Sequence, residues 1–377
     1  MPVAVTLQLP SFVHVGRYNS QKDKGSIIRG GLASNLSVTV LVGNGFDLSA
    51  GLKTSTTRFM DFFSKNHASD EGPVGRLAGC IEKEGAREWA DFEKKLGEYT
   101  SNLEVDEEDP VESALDCKEA IDIDLAAFIA LEDKRATDEF IEANSESVMA
   151  SLSYWYSALQ PLERQRILGH YSTDFVLSVS IVTFNYTTLL PRIFNAVEAN
   201  GCAAPEDGLG VSSIRLTRLV QAHGALGREP ICGVNDVSQI GSDALSKNED
   251  IASTFVKGEI QKLFGSVDDR KAEDFILRSN ILIIFGLSLG ETDIRWWETV
   301  VKLLRSGENR FVLIASTEAV SARRSPASFR RFSKELKEKL LSRGGANDDE
   351  KRLLSERIFI IPAGSIFRFK SHIPDAD

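Results

Sequence analysis

Six short apolar segments constrain this chain more than any other feature: Val38–Val42, Leu177–Phe184, Leu216–Gln221, Ile281–Phe285, Phe311–Ala315 and Ile358–Ile361. Most are unbroken Val/Ile/Leu runs rather than alternating patterns. Such runs belong to strands buried on both faces, as in a parallel sheet covered by helices. Helical patterns lie between most of them. The expectation is therefore an α/β, Rossmann-like fold with a mostly parallel sheet of about six strands flanked by helices.

The interval between the first two segments, residues 43–176, is too long for a simple crossover. Within it, Arg87–Leu96 puts Trp89, Phe92 and Leu96 on one helical face at i, i+3 and i+7. A large helical insertion is expected over about residues 68–172, with the acidic stretch Glu104–Asp109 before Pro110 as a solvated loop inside it. Residues 1–35 carry scattered glycines and no sustained period, and read as an N-terminal extension. Residues 36–377 are then the α/β domain.

With 377 residues, 42% hydrophobic and 26% charged, the chain can bury a core without covalent staples. A net charge of -11 argues against nucleic acid as the main partner, because phosphate backbones are held by clustered Lys and Arg. Cys80, Cys117, Cys202 and Cys232 form no C-x-x-C pair, so no zinc module, disulfide framework or other metal site is expected. There is neither a membrane-length apolar stretch nor a signal-peptide pattern, and the expectation is a cytoplasmic protein without a membrane partner.

The first strand breaks directly into Gly43-Asn44-Gly45-Phe46-Asp47, with Gly51-Leu52-Lys53-Thr54 close behind. Two glycines at a strand exit let the backbone approach a phosphate, and they serve equally in a plain tight turn. The third glycine of the dinucleotide fingerprint is missing, since Leu48 stands in its place, and no Gly-Lys-Ser/Thr of a P-loop follows.

Ligands of open α/β sheets bind beyond the carboxyl ends of the strands, so those ends are read together. The second carries Thr183-Phe184-Asn185-Tyr186-Thr187, the third His223-Gly224, and the fourth Gly286-Leu287-Ser288-Leu289-Gly290-Glu291-Thr292-Asp293. Taken singly, Asn185 and Asp293 read as helix caps as readily as ligand contacts, and His223 as a core histidine.

Taken in order, these motifs resemble the sirtuin set, in which a Gly-Ala-Gly turn, an Asn-containing turn, His-Gly and Gly-Thr-Ser follow one another. Within that superfamily the chain is similar to the bacterial abortive-infection family AbiH. The likeness covers Gly43–Leu48 with Gly51-Leu52 and Thr54, the Trp-x-Asp-Phe-Glu of Trp89–Glu93, the Thr183–Thr187 turn, and Gly286–Asp293. The resemblance implies NAD as substrate and no metal. Gly43, Asn44, Gly45, Phe46, Asp47, Thr54, Gly286, Ser288 and Asp293 would form its binding site. Asn185 would orient a ribose hydroxyl or a water, His223 would act as base, and Ser288 would touch the adenosine ribose. Asp47 stands where the sirtuins have serine, and its role is left open.

The function implied is that of an antiphage abortive-infection effector hydrolysing NAD to nicotinamide and ADP-ribose. The alternatives are a non-catalytic binder of a nucleotide signal and an ADP-ribosyl transferase. An unrestrained NAD hydrolase would kill its host. Restraint is therefore expected from the helical insertion or from assembly into a homo-oligomer, with a phage-derived or co-encoded protein as the trigger.

Overall fold

The computed structural model describes residues 34–85, 88–171, 175–200, 211–224, 226, 231–263, 267–317 and 325–374. The expected N-terminal extension and Cys202 lie outside these residues, apart from Ser34 and Asn35, which already belong to the first strand.

The strands are β1 (Ser34–Val42), β2 (Phe175–Thr183), β3 (Val211–Gln221), β4 (Ile281–Phe285), β5 (Phe311–Ser316) and β6 (Ile358–Pro362). They form one sheet in the order β3-β2-β1-β4-β5-β6, with every pairing parallel. This is the doubly wound order of dinucleotide-binding folds. The strand order reverses between β1 and β4, which places the ligand crevice at their carboxyl ends.

Successive strand residues face opposite layers, so each unbroken apolar run feeds two cores. Leu36, Val38, Val40 and Val42 of β1 join Ile281, Ile283 and Phe285 of β4 in one core, beneath the segments Asp138–Ala150, Ser151–Ala158 and Leu189–Asn200. Leu41, Leu282 and Ile284 point into the other, beneath the helices Val267–Arg278, Ile294–Arg305 and Pro326–Arg343.

The expected helical insertion divides in two. The helices Thr56–Asn66, Pro73–Glu84, Trp89–Asp106 and Pro110–Asp133 build a third core around Phe59, Phe63, Phe92, Leu96, Leu125 and Phe128. That core is completed by Cys232, Val234, Ile251 and Phe255, from the segment after β3. The later part, from Asp138 onwards, covers the sheet. The helical layer is thus assembled from two remote stretches of sequence.

The acidic segment is also corrected. The helix Trp89–Asp106 runs through Glu104–Asp106, and only residues 107–109 form the loop before Pro110. The buried Leu103 anchors this last turn in the helical core, which keeps it helical despite its acidity.

Candidate functional site

The turn after β1 and the loop after β4 meet backbone to backbone. Gly43 donates its N–H to the carbonyl of Phe285 at 2.9 Å, and Gly45 donates to that of Gly286 at 3.1 Å. A Cβ on Gly45 would lie 2.5 Å from the Cα of Gly286. Gly286 itself has φ +65°, a left-handed conformation that favours glycine. The glycines therefore serve first to let two loops of the chain touch.

Beside this contact opens a cleft of about 700 Å³. Gly43, Asn44, Gly45, Asp47, Thr54, Asn185, His223, Gly286, Ser288 and Asp293 all line it. Phe46 does not. It is fully buried, with its ring edge-on to Phe367 at 5.0 Å, which corrects the expectation that it touches a ligand. Fully burying such a side chain is worth roughly 1.5–3 kcal/mol, and α-helical geometry turns Phe46 towards the core.

Asn44 and Thr54 brace each other. The Thr54 hydroxyl donates to the Asn44 amide oxygen at 2.6 Å, and the Asn44 amide N–H donates to the Thr54 carbonyl at 2.8 Å. The indole N–H of Trp89 donates to the same carbonyl at 3.3 Å. These residues hold the turn after β1 against the helical layer.

Asp47 is 1% exposed and accepts a hydrogen bond from the Thr187 hydroxyl at 2.8 Å on Oδ2. Its Oδ1 has no partner among the described residues. Burial pushes its carboxyl up to about 7, opposed by Thr187 and the nearby Asn185 amide and reinforced by the charge of Asp133. Asn185, 5% exposed, lies close enough to favour the charged form of Asp47, yet neither of its amide atoms reaches hydrogen-bond geometry with any described group. It does not cap a helix, because the next one starts only at Leu189.

On the neighbouring wall, His223 is buried with Nε2 3.4 Å from Asp293 Oδ1 and its ring edge-on to Phe184. Burial and the charge of Lys257 push its pKa down to about 3 against the pull of Asp293, so the imidazole is neutral at physiological pH. Asp293 occupies the cap position of the helix Ile294–Arg305 but makes no capping bond. Its carboxylate instead meets Lys257 Nζ at 3.1 Å, and Glu93 meets the same ammonium at 2.8 Å. Burial opposes the Lys257 charge, but Asp293 and Glu93 outweigh it and hold the ammonium above its ordinary pKa. Burial raises Glu93, and Lys257 counters it.

Ser288 lines the cleft further out, and its carbonyl accepts from Lys339 Nζ at 2.8 Å. A family model described as bacteriophage abortive infection AbiH matches residues 39–314. The chain belongs to the AbiH family. That family is one of phage abortive-infection defence, and the match spans both the turn after β1 and Asp293. A search of curated proteins found no match.

Within the AbiH segment, sequence reasoning missed the role of Lys257 and placed Glu93 only in a motif. Trp89–Glu93 carried the signal for Glu93, because it falls one helical turn after Trp89, beside the buried Phe92. Lys257 carried none. It opens a short helix, Lys257–Leu263, far from any strand end. Among the described residues no His/Cys/Asp/Glu group of three or more could hold a metal ion, and no helix is long and apolar enough to cross a membrane.

Proposed function

We propose that the cleft binds NAD and hydrolyses its N-glycosidic bond, releasing nicotinamide and ADP-ribose as the effector chemistry of phage defence. The observation that carries this reading is Asn185: a buried amide with both polar atoms unpartnered among the described residues, lining a cleft at the reversal of a dinucleotide-type sheet. Burying an amide without partners is costly, and a ligand hydroxyl would supply them. The sirtuin-like order of motifs supports the same reading.

In the reaction, the bond between the ribose C1′ and the nicotinamide nitrogen breaks, and nicotinamide leaves with the electron pair. A water attacks C1′ and gives up its proton. The expected base was His223. With a pKa near 3, it instead suits a neutral acceptor for a ribose hydroxyl. Asp47, near 7, has the basicity that proton transfer at neutral pH calls for. Asn185 would hold the water or the ribose beside it.

The test is nicotinamide release from NAD by the purified protein. Loss of release in Asn185→Ala and Asp47→Asn is expected. Equal turnover by these variants and wild type, or no turnover by wild type with or without phage lysate, would overturn the proposal. Binding of ADP-ribose without turnover would favour the non-catalytic reading.

A further inference from the structure

Among the described residues the cleft is lined by Asp47, Glu88, Glu93 and Asp293 against two cations, Lys257 and Lys339. Lys257 lies between Glu93 and Asp293, so its charge is already balanced. Lys339 is different. Its ammonium donates to a neutral acceptor, the Ser288 carbonyl, and makes no ion pair among the described residues. An ammonium has three donors, so capacity remains for an anion. Phe332, Leu336 and Lys339 fall at i, i+4 and i+7 on the helix Pro326–Arg343, and all three line the cleft. The cation thus ends an apolar stripe, as a site for a base joined to a phosphate requires.

The turn after β1 is poorly suited to the same anion. The N–H groups of Gly43, Gly45 and Phe46 already donate to the carbonyls of Phe285, Gly286 and Gly43. A phosphate there would find these donors engaged and the Asp47 carboxyl beside it.

We propose that Lys339 is the phosphate-binding cation of this cleft, so that a nucleotide lies with its phosphates towards Ser288 and Lys339 and its sugar towards Asn185 and Asp47. The inference rests on reading the cleft as a nucleotide site. It assigns a binding role to a helix beyond the AbiH-matched residues 39–314.

Calorimetric titration of the full chain with ADP-ribose and with adenosine tests it. Lys339→Met should weaken ADP-ribose at least about tenfold, the scale of one charge-assisted hydrogen bond, and leave adenosine within about twofold. Lys339→Arg should retain ADP-ribose binding. Equal ADP-ribose affinity in Lys339→Met and wild type, an equal loss for both probes, or failure of wild type to bind ADP-ribose would overturn the assignment. Failure of NAD turnover with this pattern intact would overturn only the hydrolase reading.

Discussion

Gly45 donates its N–H to the carbonyl of Gly286 at 3.1 Å, tying the turn after β1 to the loop after β4 across the point where the strand order reverses. Both sides of the cleft depend on that contact. Gly45 also opens the helix Gly45–Ala50, where alanine would ordinarily be favoured by up to about 1 kcal/mol. The Cβ of an alanine would fall 2.5 Å from the Gly286 Cα, and backbone cannot yield as a flexible side chain does. Gly45→Ala should therefore destabilise by roughly 1–3 kcal/mol. Urea denaturation reads the sign directly, and a stabilised variant would mean that the two loops are not held this close.

Asp47 makes stability depend on pH. Its folded pKa of about 7 lies above the ordinary 3.8, so between these values the folded state binds more protons than the unfolded one. Stability then falls as pH rises through that window, by at most about 4 kcal/mol. Asp47→Asn can still accept from Thr187 and carries no charge. It should be more stable than wild type at pH 8 and lose this part of the pH dependence, as seen in thermal or urea unfolding between pH 5 and pH 8. If Asp47 is the base, wild-type turnover should rise with pH through about 7, while the stabilised Asn variant is inactive.

Lys257 should behave in the opposite way. Removing it leaves Glu93 and Asp293 facing each other without a counter-charge in a buried site. Lys257→Met is expected to destabilise by about 3–5 kcal/mol at neutral pH, as when one partner of a buried ion pair is lost. Adding Asp293→Asn should recover part of that loss, and urea unfolding of the single and double variants measures the recovery. The histidine offers a second readout: with the ammonium gone, the pKa of His223 should rise, which NMR titration of its ring protons would report.

These residues differ in how far the sequence announced them. The strands were legible because residues such as Ile281–Phe285 are apolar at every position, which only burial on both faces explains. The ends were not. The first half of β3 mixes Ser and Arg with apolar residues at a sheet edge, and so the apolar run starts only at Leu216. Strand order was invisible, because pairing is decided by packing between remote segments. The residues at strand ends were found because the topology rule says where to look. Phe46 is the exception: the family resemblance implied it in the site, but adjacency to a ligand turn does not fix which way a side chain points. Lys257 and Lys339 reach the cleft from helices whose positions depend on tertiary packing, and no local pattern marks them.

Asn185 separates a ligand-binding role from a structural one. A buried asparagine kept for the fold would hold hydrogen bonds, and its loss would leave partners unsatisfied at a cost of about 1–3 kcal/mol. Here both amide atoms lack partners among the described residues, so Asn185→Ala removes an unmet polar group and leaves only a small void. Stability within about 1 kcal/mol of wild type is expected, or a slight gain. The same substitution should lower NAD turnover at least about a hundredfold, because the positioned amide acts on the reacting sugar or its water. Thermal unfolding and nicotinamide release, measured on one preparation, decide the matter. A large loss of stability would assign Asn185 to the fold, and unchanged turnover would remove it from the chemistry.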